Sequence, residues 1–427
     1  MRMIIRLPYG HGWIEYDAPS TAAVLESSVG ELRGGGDGRK IVEAAMERPV
    51  GTPRLKELAK GKKTCTLIIS DHTRPVPSKD ILPPMLKELR EGSPGIDITL
   101  LVATGFHRSS SKEELVNKLG REIFENETIV VHDCADPASN TRLGLLPSGA
   151  PLVIDTLAAE TDLLVAEGFI EPHFFAGFSG GRKSVLPGVC DRVTVLGNHC
   201  SAFIDSPFAR TGILDGNPLH RDMLAAGRMA KLAFIVNVII DEEKKTVAAF
   251  AGDFETAHRA GCDFLRRYCT VKPAYADIAI TTNGGAPLDQ NIYQCVKSMT
   301  AAEATAAPGG VIVLCAECAD GTGGDGFYRS LKDCRSPEQL YESIMATPQQ
   351  ETIPDQWETQ ILARILKKHR VIFVTRPELE RTVSDMKMIY APSLEKALEL
   401  ARGYQGKDAS VTVIPNGIAV IVDGDGE

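Results

Sequence analysis

Three short stretches set imidazole, carboxylate and guanidinium groups directly after a hydrophobic run. They are Ser70-Asp71-His72-Thr73-Arg74-Pro75, Ala103-Thr104-Gly105-Phe106-His107-Arg108 and Gly168-Phe169-Ile170-Glu171-Pro172-His173. A histidine there can move a proton near neutral pH, and an arginine can grip a carboxylate through its planar fork. The third stretch runs on through Phe174-Phe175-Ala176-Gly177-Phe178 into Ser179-Gly180-Gly181-Arg182-Lys183-Ser184, then Pro187-Gly188. Ser179, Gly180 and Gly181, beside two cations, can cradle a phosphate as P-loops do, although P-loop spacing is absent. A nucleotide monophosphate would suit such a turn, and so would plain solvent around Arg182 and Lys183.

His199 follows in Gly197-Asn198-His199-Cys200, and His220 in Asn217-Pro218-Leu219-His220. A lone histidine is more often a surface or satisfied core residue than a ligand, and His11, His132, His258, His369 and His220 are read that way. His107, His173 and His199 differ because each adjoins a Gly-rich or charged turn. Further on, Asn283-Gly284-Gly285-Ala286-Pro287-Leu288-Asp289 leaves a strand and Gln290 to Lys297 begins a helix. Tyr293 and Lys297, at i and i+4 with Gln294 between, share one face. That cation could reach a carboxylate across a cleft, or simply belong to a solvated helix. Trp357 could line the cleft or pack in a core.

The elements that must hold these residues alternate along the chain. Apolar, β-branched runs at Thr66–Ser70, Ile96–Ala103, Thr128–His132, Leu163–Ala166 and Ala233–Ile240 read as strands. Ser78–Arg90 and Ser111–Glu122 read as helices between them, the latter opening on a capping serine and acidic first turn. A second series of strands covers Asp277–Thr282, Gly310–Leu314, Val371–Val374, Met388–Tyr390 and Ser410–Val413, with helices over 289–306 and 359–368. This alternation predicts an α/β fold of two domains, residues 1–270 and 271–427. Each would carry a largely parallel sheet flanked by helices, and the strand-like Ile418–Val422 is expected to pack back on the first domain. In parallel sheets ligands gather at the carboxyl ends of strands, where the three motifs fall. The active site is therefore expected in the cleft between domains.

A chain of 427 residues exceeds the usual reach of one core. Its 43% apolar and 24% charged residues are ordinary for a folded soluble protein. A net charge of −9 without a basic run argues against nucleic acid as a partner. No apolar run reaches the length of a membrane span, and residues 1–10 lack the apolar core of a signal peptide, so the cytoplasm is the expected location. The ten cysteines show no framework spacing, which fits reduced thiols, and Cys315 and Cys318 are read as buried and unreactive. No feature specifies an oligomeric state.

Taken in order, Gly168 to Gly188, Ala209-Arg210-Thr211-Gly212 through Gly216-Asn217-Pro218-Leu219-His220, and Gly284 to Lys297 resemble the nickel-dependent lactate racemase family over essentially the whole chain. The resemblance implies a racemase or epimerase of a small 2-hydroxy acid, with lactate the leading substrate. It implies a nickel pincer nucleotide, a modified pyridinium mononucleotide holding Ni(II), joined covalently to Lys183 and made by separate maturation proteins. By position, His199 resembles the nickel ligand and His107 and His173 the two catalytic histidines. Asp71, Thr73, Ser179, Gly180 and Gly181 fall where cofactor is held, Arg74 and Lys297 where substrate carboxylate is anchored, and Tyr293, Gln294 and Trp357 in the substrate pocket. In that family hydride leaves C2 while a histidine takes the hydroxyl proton. The planar keto acid then receives hydride on its other face. Three readings compete: the same chemistry on another 2-hydroxy or sugar acid, a hydrolase with zinc held by His107, His173 and His199, and a noncatalytic nucleotide-binding protein.

Overall fold

The computed structural model describes residues 2–32, 36–241 and 243–423. Two six-stranded sheets carry the chain. Across the first, from edge to edge, lie Thr246–Gly252, Leu232–Ile240, Leu163–Phe169, Thr64–Ser70, Asp97–Ala103 and Thr128–Val131. Every neighbouring pair is parallel except the first two strands, which are antiparallel. Leu163–Phe169 is buried along its whole length, as a strand covered by helices on both faces must be. The second sheet orders Ile389–Ala391, Arg370–Val374, Ala306–Cys315, Ala276–Thr282, Val411–Ile414 and Ala23–Val24, all parallel. The α/β architecture read from the sequence is the architecture observed.

In the first sheet the chain starts at Thr64–Ser70 and builds to one side through Asp97–Ala103 and Thr128–Val131. It then returns to add Leu163–Phe169 on the other side. Connections leaving adjacent strands in opposite directions open a crevice at their carboxyl ends, here beyond Ser70 and Phe169. The second sheet repeats this around Ala276–Thr282, with Ala306–Cys315 on one side and Val411–Ile414 on the other.

Helix boundaries sharpen the sequence reading. The predicted helix 111–122 is two helices, Lys112–Leu119 with a capping box of Ser111 and Glu114, and Arg121–Asn126 after Gly120 at φ +83°. A residue in that left-handed region stops the first helix. The helix predicted from 289 begins at Ile292, where the Asn291 side chain accepts from Gln294 N. The helix predicted from 359 begins at Gln356, placing Trp357 in its first turn.

The chain ends are exchanged between sheets, which the sequence did not reveal for the first of them. The hairpin Arg2–Tyr9 and Gly12–Pro19 packs Ile5, Leu7, Tyr16 and Ala18 against Ile278, Val311 and Val413 of the second sheet. At the other end Ile421–Val422 pairs with Thr270–Val271, and Ile421 packs with Ile170, Phe178 and Leu214. We propose a division near residue 270 with these two ends crossing it. No helix among the described residues is long and apolar enough to cross a membrane.

Candidate active site

Asp71 follows the strand Thr64–Ser70 and is buried. Its Oδ1 accepts from Thr73 N at 3.1 Å and Thr73 Oγ1 at 2.7 Å, closing an Asx turn that points the chain toward Arg74. Its Oδ2 lies 2.6 Å from His107 Nδ1. Burial would raise the Asp71 carboxyl, but His107, Arg74 and Thr73 hold it below the usual carboxylate range. A carboxylate can only accept, so His107 carries its proton on Nδ1 and keeps the lone pair on Nε2. Beneath this turn Lys118 Nζ donates to the Arg74 carbonyl at 3.1 Å, and Glu167 accepts from Ser78 Oγ at 2.7 Å.

His173 is held differently. Ala176 N–H donates to its Nδ1 at 3.2 Å, so the neutral ring carries its proton on Nε2. That Nε2 lies 3.2 Å from Lys183 Nζ. Burial, then the charges of Lys183, Lys297 and Arg74, push the His173 imidazole well below its ordinary value. Lys183 sits in the single turn Gly181–Ser184, and burial followed by Arg182, Arg74 and Lys297 depresses its amine strongly.

The glycines before Lys183 serve close packing. A Cβ on Gly180 would sit 2.7 Å from the Phe169 carbonyl oxygen, and one on Gly181 2.5 Å from the His258 ring. The Gly181 amide donates to Asn237 Oδ1 at 2.7 Å. Ser179 Oγ turns to Glu171 Oε1 at 3.3 Å.

His199 ends the helix Arg192–Asn198 and donates Nδ1–H to the Val195 carbonyl at 3.1 Å, which makes Nε2 its lone-pair atom. Burial, then Lys183, pushes its pKa down to about 3, so the ring stays a neutral donor. An aromatic wall joins the two halves: Phe106 to Trp357 at 6.1 Å, Trp357 to His199 at 4.9 Å, His199 to Phe175 at 5.3 Å and Phe175 to His173 at 4.6 Å between ring centroids. Trp357 thus lines the site. From the helix Ile292–Glu303, Lys297 Nζ donates to Gln294 Oε1 at 2.7 Å and lies 6.0 Å from the Phe174 ring centroid. Burial and Arg74 lower the Lys297 amine. Tyr293 packs edge-on against Phe327 at 5.3 Å, its hydroxyl pushed well above the usual value by burial, Glu358 and Asp355.

Sequence reasoning missed Glu358, which is buried with an Oε1 that has no hydrogen-bond partner among the described residues. Burial pushes its carboxyl up to about 8 against the pull of Lys297. A glutamate beside Trp357 on the same helix was the available signal. Lys118 and Glu167 were missed as well, although a glutamate inside an apolar strand is conspicuous.

Arg74 and Lys297 depress the Lys183 amine, and Arg74 the Lys297 amine, across a site walled by aromatic rings, and this gathering of cations favours a small anion despite the chain's net charge. His107 can accept a proton at Nε2 and His173 can donate one. His107, His173 and His199 do not converge on one point, and among the described residues no three His, Cys, Asp or Glu side chains could share a metal ion, which removes the three-histidine zinc site.

Comparisons with known proteins point to one family. A model of the lactate racemase N-terminal domain matches residues 9–212, and one of the lactate racemase C-terminal domain matches residues 271–422. The lactate racemases of Thermoanaerobacterium thermosaccharolyticum and Lactiplantibacillus plantarum are each 50% identical over 420 residues, 98% of this chain and 99% of theirs. The structure of the lactate racemase apoprotein from T. thermosaccharolyticum matches with a TM-score of 0.96, covering 99% of this chain and all of that one. A Thermotoga maritima protein, 18% identical, shares the fold with a TM-score of 0.65 over 90% of this chain and 97% of its own. With both halves matched and two relatives half identical along their full length, the chain belongs to the lactate racemase family.

Proposed function

We infer that this protein interconverts the two enantiomers of lactate. The observation that carries the reading is the pair His107 and His173, each with Nδ1 fixed by a hydrogen bond so that Nε2 is its reacting nitrogen, set around Arg74 and backed by Lys297. Full-length relatives that are lactate racemases support it.

The chain's own residues account for most of the task. Arg74 and Lys297 would anchor the substrate carboxylate while C2 changes hand, with Gln294, Tyr293 and Trp357 enclosing the methyl side. His107 Nε2 would take the hydroxyl proton of one enantiomer, and His173 Nε2–H would hold the oxygen. Hydride returned on the other face, with the proton given back from His107 Nε2, would yield the other enantiomer and leave both rings as they began. The C2 proton of a 2-hydroxy carboxylate is very weakly acidic, so loss of hydride to give a planar keto acid avoids a carbanion. Closure of the halves about the aromatic wall would retain that keto acid.

A nickel pincer nucleotide fits the donors present. His199 offers a neutral, lone-pair Nε2 fixed by its Nδ1 bond, and Lys183 offers a depressed amine for covalent attachment. When bound, this group supplies a carbon that accepts and returns hydride. Asp71, Thr73, Ser179, Gly180 and Gly181 shape the bay that would receive it, its making falls to separate maturation proteins, and ten free thiols suit a reducing cytoplasm. Another 2-hydroxy acid is the second reading, since fold does not fix side-chain specificity.

The test is Lys183→Ala produced beside the maturation proteins. It should show no added mass, no nickel and no inversion of lactate, whereas wild type shows all three. Retained nickel and activity would overturn the tether.

A further inference from the structure

Arg182 precedes the tether lysine and is wholly buried without a carboxylate partner among the described residues. Burying a guanidinium is costly unless its donors are met. Here four of its five N–H groups find acceptors. Nε donates to His220 Nδ1 at 2.9 Å, Nη1 to the carbonyls of Phe178 at 2.7 Å and Gly180 at 3.2 Å, and Nη2 to the Ala176 carbonyl at 2.7 Å. His258 sits 3.0 Å from Nη1, and its Nε2 lies 2.9 Å from the Ser179 carbonyl. With both Nη1 protons already used, His258 donates to Ser179 and braces the guanidinium by contact.

The Ala176 residue is therefore held at both of its backbone groups. Arg182 fixes its carbonyl, and its N–H points at His173 Nδ1. We propose that Arg182 is a positioning residue for His173, acting through the Ala176 backbone to keep the imidazole proton on Nε2, with His220 as the acceptor that orients the guanidinium. The proposal rests on the racemase reading for its purpose but not for its test. It gives a role to the Asn217-Pro218-Leu219-His220 motif, which the reaction itself does not use. Asn217 caps the helix Pro218–Met229 and so presents His220 to Arg182. Burial, then Arg182, pushes the His220 pKa down to about 3, so it remains an acceptor.

The experiment is nitrogen-15 NMR of histidine-labelled, cofactor-free full-length chain at neutral pH, with His173→Gln assigning the signals. Wild type should show His173 with a pyridine-type Nδ1 and a pyrrole-type Nε2. Arg182→Met should convert this to a mixture of tautomers. His220 borders an open cavity of about 770 Å³ beside Arg221 and Arg259, so exchanges there are accommodated. His220→Leu should disturb the His173 signals, and His220→Asn, whose amide oxygen replaces Nδ1, should restore them. If Arg182→Met does not fold, the two His220 variants decide. A wild-type His173 protonated on Nδ1, or signals unmoved in folded Arg182→Met or His220→Leu, overturns the proposal. The racemase reading would survive that result, since no turnover is measured.

Discussion

The Asp71 carboxylate shows how one residue settles the state of another. With Asp71 Oδ2 on its Nδ1, His107 has its lone pair where substrate would meet it. Asp71→Asn keeps the size but lets an amide donor face Nδ1, so kcat should fall by roughly 10²- to 10⁴-fold in a folded, loaded enzyme. Steady-state kinetics check this, and an unchanged kcat would show that His107 is not the base. Lys297 carries a second prediction. Its amine is depressed by burial and Arg74, so it sheds its proton below the ordinary lysine value of about 10.4. As a cation lost with rising pH, it should let KM for lactate climb below that pH, and Lys297→Arg should defer the climb. At this scale the sequence was legible in what gathers: His173, Lys183 and His199 meet around Phe175, and His107 meets Asp71. It was silent on Glu358 and on the inward use of the Gly181 amide, because both depend on what the fold brings from elsewhere: Lys297 in one case, Asn237 in the other.

Among the elements, strands were easier to read than the turns that follow them. Thr64–Ser70 and Leu163–Phe169 announced themselves by the apolar runs Leu67–Ile69 and Leu163–Ala166, since a strand covered on both faces leaves little room for alternation. The helix bearing Trp357 starts three residues earlier than its periodicity suggested, because Asp355 at φ +64° turns the chain without a glycine to mark it. The turn before Lys183 makes the sharpest demand. Gly181 lies at φ +54° with His258 against its missing Cβ, and His258 is itself fixed on Ser179. Gly181→Ala should therefore cost about 1–3 kcal/mol in strain and move Lys183 off its line to His173. Denaturant unfolding together with the yield of cofactor-bearing protein checks both, and full stability with normal loading would contradict the packing account.

For the molecule as a whole, the site exists only where the two sheets meet: the first supplies Asp71, Arg74, His107, His173 and Lys183, and the second half supplies Lys297 and Trp357. The exchanged ends reinforce that meeting, which sequence periodicity does not report because pairing partners lie about 150 or nearly 400 residues apart, as in Thr270 with Ile421 and Ala23 with Thr412. Ile421 packs against Gly212, Ile170 and Phe178, so Ile421→Ala should lose roughly 2–5 kcal/mol of stability in denaturant unfolding. A negligible change would mean the crossing end is decorative. We propose that a hydrogen leaves C2 of lactate as hydride and returns within the same site. The most direct measurement offers matured protein one enantiomer of lactate deuterated at C2 in ordinary water, and follows both enantiomers with their isotope content. The account predicts the opposite enantiomer with deuterium still on C2. Inversion with deuterium lost to water, or no inversion by nickel-loaded protein, would contradict it.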